Sequence, residues 1–102
     1  LKKIDFVHKN LTIYTLDYDK IKGTAIVRNR KFGDKLKLRG RNFTSSVKKI
    51  INETIPVEQR NSLHFIEDEN GTIFAEKIGI ADRIAPDSST KRLLKIQIIR
   101  EG

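Results

Sequence analysis

A chain of 102 residues, 37% of them hydrophobic, is long enough for one domain with its own core, and its formal net charge of +8 leaves open a surface for a polyanion or a lysine-rich solvated face. It has no Cys, which excludes a disulfide framework, a thiolate metal site and a cysteine nucleophile. No apolar run approaches the roughly 20 residues of a membrane span, and Leu1-Lys2-Lys3 leads into an alternating segment rather than a signal sequence, so the chain reads as cytoplasmic with no membrane role.

The first third reads as strands. Ile4, Phe6 and His8 share a face, and Leu11-Thr12-Ile13-Tyr14 alternates in the same way, which predicts a short hairpin turning at Asn10. Asp17 to Lys20 is a polar connection, and the β-branched run Thr24-Ala25-Ile26-Val27-Arg28 predicts a second strand. Gly33-Asp34 marks a turn that calls for positive φ. Lys35-Leu36-Lys37-Leu38-Arg39 then alternates strictly, which predicts a half-buried strand with a basic outer face.

After Gly40 the period changes. Phe43, Val47, Ile50 and Ile51 form one stripe of a helix expected over 44–53, capped by Asn42 or Thr44 and ended by Pro56. Pro56 is suited to open a second, shorter helix through Val57 to Arg60. Strands return at Leu63-His64-Phe65-Ile66 and Thr72-Ile73-Phe74-Ala75, with Asn70-Gly71 predicted as a type I′ turn between them. Leu94, Ile96 and Ile98 alternate in a closing strand. The expected class is α+β, with mostly antiparallel strands in a sandwich-like core and two short helices.

Chemistry is sparse. His8 and His64 lie far apart, with no carboxylate or second histidine at a metal-ligand spacing, so no metal site is expected. Glu67-Asp68-Glu69 reads as a solvated cluster on the approach to a turn. There is no phosphate loop and no nucleophile elbow, so no catalytic residue is assigned. What stands out is the distribution of charge. Arg28 to Lys49 holds nine Lys/Arg against the single acid Asp34, whereas the rest of the chain is neutral.

The order of small features carries a resemblance. Arg30-Lys31-Phe32-Gly33-Asp34 leads to Gly40 and the basic helix Val47-Lys48-Lys49-Ile50-Ile51, then to Ile55-Pro56, Arg60, the hairpin, Gly79 and Asp82-Arg83. Over about residues 24 to 99 this is similar to the C-terminal domain of bacterial tRNA(Ile)-lysidine synthetase. Phe43 and Ser45-Ser46 stand where that family often has a glycine and a lysine pair, and His64 stands where it has a proline.

The resemblance implies a non-catalytic tRNA-binding domain that grips tRNA on the acceptor-stem side. It also implies that a separate N-terminal ATP-pyrophosphatase domain, using ATP, Mg and lysine, converts C34 of the CAU-anticodon isoleucine tRNA to lysidine. The C-terminal domain would itself need no cofactor. It further implies a fold similar to a module of the phenylalanyl-tRNA synthetase β subunit. The chain contains no Met, which fits a piece of a longer protein.

Arg30, Lys35, Lys37, Arg39, Arg41, Lys48 and Lys49 are the candidate RNA surface. Arg28 and Lys31 are further candidates, and Arg60 and Arg83 read equally as RNA contacts or structural ion pairs. Phe32 reads as a core side chain, with stacking on a base as its other role. Two other classes stay open: a general basic RNA- or DNA-binding module, and a protein-interaction domain, including a homodimer.

Overall fold

The structure, a computed structural model, describes residues 11–99. Among these residues nine elements run in the order β1 (Leu11–Asp17), β2 (Ile26–Arg28), β3 (Lys35–Leu36), β4 (Ser45–Ser46), α1 (Val47–Thr54), β5 (Phe65–Asp68), β6 (Gly71–Ala75), β7 (Gly79–Ile80) and β8 (Leu93–Ile99), with short 3-10 helices at Tyr18–Lys20, Val57–Ser62 and Asp82–Ile84. All described strand pairs are antiparallel. The α+β class with mostly antiparallel strands and few, short helices is therefore observed.

β2, β5, β6 and β7 form a four-stranded sheet in that order. β1 and β8 form a second sheet in a seven-residue register that sets Tyr14 opposite Ile96 and Leu16 opposite Leu94. The two meet where the Tyr14 ring stands edge-on to Phe74 of β6, centroids 4.7 Å apart at 72°. Leu16, Phe65, Ile73, Phe74 and Ile84 are fully buried between the layers. The hairpin expected to start at Ile4 has its first strand and its Asn10 turn outside the described residues. The described partner of β1 is β8, far along the chain.

Helix α1 begins three residues later than its periodicity predicts. Ser45 and Ser46 are taken up in β4, where they face Leu36 and Lys35, and the Val47 N–H donates to the Asp34 carbonyl at 3.0 Å. Ser46, rather than Asn42 or Thr44, is the cap, its hydroxyl accepting from the Lys49 N–H. Val47 and Ile51 are buried, with Ile50 half-buried beside them, whereas Phe43 lies outside the helix and is exposed. Beyond Pro56 the second helix forms as a six-residue 3-10 helix, Val57–Ser62.

The β5–β6 hairpin forms, with its turn one residue earlier than expected. Asp68 faces Gly71, so Glu69 and Asn70 make the turn, and only Gly71 of the Asn70-Gly71 pair has positive φ. A register shift between Ile66 and Glu67 breaks the alternation of β5, and Asp68 becomes buried. No helix among the described residues is long and apolar enough to cross a membrane.

Candidate nucleic-acid interface

The basic segment is presented by three local structures. In the first, Arg30 to Asp34 makes a loop closed by its own last residue. The Lys31 N–H donates to Asp34 Oδ2 at 2.7 Å, the Asp34 N–H donates to the Lys31 carbonyl at 3.2 Å, and Gly33 supplies the positive φ of 86°. In the second, the predicted strand 35–39 has ladder pairing only at Lys35–Leu36. Further on, Leu38 bridges Ala81, the Arg39 N–H donates to Ile80 and the Asp82 N–H to Lys37. Its expected alternation holds, with Leu36 and Leu38 buried and Lys35, Lys37 and Arg39 exposed. The third is the first turn of α1, where Lys48 and Lys49 are both exposed beside the buried Val47.

The basic strand and the first turn of α1 flank the loop. A groove of about 650 Å³ on one side is lined by Lys31, Phe32, Lys35, Lys37 and Arg83 together with the acids Glu67, Asp68, Glu69 and Asp82. A smaller hollow of about 250 Å³ on the other side lies between the loop and α1, lined by Arg30, Lys31, Phe32, Gly33, Val47 and Lys48. The loop is the ridge between them.

Partner bonds divide the candidate cations into two sets. Arg28 is half-buried and engaged: Nη2 donates to Asp34 Oδ1 at 2.8 Å and to Thr72 Oγ1 at 3.1 Å, Nη1 to Asp34 Oδ2 at 3.2 Å, and Nε to Glu67. Burial pulls its pKa down, but Asp34 and Glu67 outweigh that and leave it raised. Arg60 covers the end of α1, donating to the Ile55 carbonyl at 2.9 Å and to Asn52 Oδ1 at 3.3 Å. Arg83 forks onto Asp68 at 3.0 and 2.6 Å. Lys31 leans on Glu67 at 3.4 Å, and Arg39 reaches the Pro86 carbonyl at 3.4 Å.

The other set has no hydrogen bond or ion pair from its side chains among the described residues: Arg30, Lys35, Lys37, Arg41, Lys48 and Lys49. Of these, Arg41 lies over the Phe43 ring at 5.8 Å. All six are exposed.

Two readings are corrected here. Phe32, expected in the core, is fully exposed at 100%, because the loop turns its tip away from the sheets. Glu67-Asp68-Glu69, expected to be solvated, is tied into the structure instead. Glu67 pairs with Arg28 and Lys31, Glu69 accepts from the Thr24 N–H, and the Asp68 side chain is buried. Burial pushes the Asp68 carboxyl up, yet Arg83 and the Lys22 and Asn70 N–H groups hold it down at about 2. Nothing in the linear sequence pairs these acids with Arg28 and Arg83; the pairing of β2 with β5 brings up Arg28, and the 3-10 segment after β7 brings up Arg83. Among the described residues no group of three or more His, Asp or Glu is placed to hold a metal ion.

The family described as the TilS substrate C-terminal domain matches residues 25–98. The chain belongs to that family. The tRNA(Ile)-lysidine synthase of Caldanaerobacter subterraneus subsp. tengcongensis is 28% identical over 102 residues, covering 99% of this chain and 22% of the relative. That of Clostridioides difficile is 36% identical over 81 residues, covering 78% of this chain and 17% of the relative. The chain thus spans about a fifth of the length of these curated relatives.

A crystal structure of a TilS C-terminal domain superposes with a TM-score of 0.71 at 22% identity, over 88% of this chain and 72% of that one. An N-terminal fragment of the phenylalanyl-tRNA synthetase β subunit from Pyrococcus horikoshii superposes at 0.66 with 14% identity, over 91% of this chain and 30% of that one. The expected fold likeness to both proteins is observed.

Proposed function

We propose that this TilS C-terminal domain grips tRNA, on the acceptor-stem side, for a cytoplasmic tRNA(Ile)-lysidine synthase whose ATP- and lysine-handling chemistry resides in another domain. The observation that carries this reading is the set of six exposed cations without an ion-pair partner among the described residues, Arg30, Lys35, Lys37, Arg41, Lys48 and Lys49, grouped on one segment of a TilS-family fold. An A-form stem hides its major-groove edges, so a protein holds it mainly through phosphates, 2′-hydroxyls and shape. Exposed Lys and Arg on a strand face, a loop and a helix turn supply contacts of that kind. Arg28, Arg60 and Arg83 act one level down: their intramolecular bonds fix the loop, the end of α1 and the hairpin that frame the surface.

If four or five phosphates are contacted, log affinity against log salt should fall with a slope of about −3 to −4. A filter-binding or anisotropy titration of the chain with isoleucine tRNA measures this. Affinity that stays flat between low and moderate salt contradicts the reading. Equal affinity for tRNA and for random duplex DNA would favour a general basic module instead.

A further inference from the structure

We propose that Phe32 is a stacking platform for one unpaired nucleobase, so that the ridge loop reads a single-stranded end or bulge of the RNA whose phosphates the flanking cations hold. The inference rests on the tRNA-gripping reading and adds to it a chemical class of ligand for one side chain.

Three observations converge on it. Phe65 and Phe74 are buried and the Phe43 ring lies under the Arg41 guanidinium, but the Phe32 ring is wholly in water. The loop that exposes it is braced. Asp34 receives the Lys31 N–H and two Arg28 N–H groups, and its carbonyl receives the Val47 N–H. A loop braced in this way presents the ring to a flat partner with little further ordering of the backbone. Finally, Phe32 lines both hollows, with Arg30 and Lys48 in one, and Lys35 and Lys37 in the other beside the acids Glu67, Glu69 and Asp82. A phosphate on either side of a stacked nucleotide would therefore meet a cation. A continuous duplex offers no free base face at that place, whereas a single strand does, and every base has one.

The chain contains no Trp, so Phe32→Trp introduces a lone indole as a reporter. Three RNAs share one stem: a blunt one, one with a short single-stranded 3′ tail, and one whose tail is abasic and so keeps the phosphates without the bases. The wild-type chain should bind the base-bearing tail about tenfold more tightly than the abasic tail. Phe32→Leu should erase that difference, and Phe32→Trp should keep it. The indole fluorescence should be quenched by the base-bearing tail and not by the abasic one.

A base preference that survives Phe32→Leu overturns the proposal, as does equal quenching by both tails. Salt-dependent binding of the blunt stem, with no difference between the tails, removes the stacking role and leaves the gripping role standing. No salt-dependent binding of any of the three RNAs overturns both.

Discussion

Arg83 and Asp68 show how far a single side chain's role depends on what is placed opposite it. The Asp68 side chain is fully buried and takes both arms of the Arg83 fork and the N–H groups of Lys22 and Asn70. Removing one partner of such a pair strands a charge, so Arg83→Ala should cost about 3 kcal/mol, read by urea unfolding. The pH dependence has a definite sign. The Asp68 carboxyl is lowered from 3.8 to about 2, so its contribution is present above the ordinary value and is lost as the pH falls through the folded one. The gap between wild type and Arg83→Ala should be full near pH 5 and should close towards pH 2. A gap of constant size over that range would mean that the cost is one of packing. At this scale the sequence is a poor guide. Arg28, Arg60 and Arg83 are indistinguishable in it from Arg30 and Arg41, because nothing local tells a guanidinium with a carboxylate or carbonyl facing it from one without. Phe32 misleads for a similar reason: hydrophobicity favours burial, but a short loop locked by Asp34 has no core within its reach.

Elements are more legible than side chains, to the extent that their bonds are local. The β5–β6 hairpin is visible in its two apolar runs and the glycine between them, and the basic strand is visible in the alternation of Leu36 and Leu38. Helix α1 is visible in its stripe, and Ile51, fully buried, is the centre of that stripe. Ile51→Ala should therefore cost about 2–5 kcal/mol of stability. Val57→Ala, at a position 71% exposed, should change it by no more than about 0.5 kcal/mol. Similar melting points for the two variants would mean that α1 does not pack as described. What the sequence hides is tertiary. The start of α1 moves because β3 claims Ser45 and Ser46. The turn of the hairpin moves because a register shift follows Ile66. The pairing of β1 with β8 joins segments about eighty residues apart, which no local period encodes.

For the whole molecule, the concentration of charge in one segment is legible at once, but its division is not. Of the nine cations between Arg28 and Lys49, Arg28 is spent on Asp34 and Glu67, Lys31 leans on Glu67, Arg39 reaches the Pro86 carbonyl, and the other six face water with no hydrogen bond or ion pair among the described residues. That division turns a composition into a surface. A paired charge removal tests it most directly. Lys48→Gln with Lys49→Gln takes two charges from the first turn of α1. Lys91→Gln with Lys95→Gln takes two equally exposed charges from β8 and the segment before it. Both variants lower the net charge by the same amount, so long-range attraction to tRNA falls alike. Only the first should lose contacts, and its salt slope should become shallower by up to about two phosphates' worth, with affinity reduced well below that of the second. Equal losses in slope and affinity from the two double variants would show that tRNA responds to net charge alone and that the basic face is not a site.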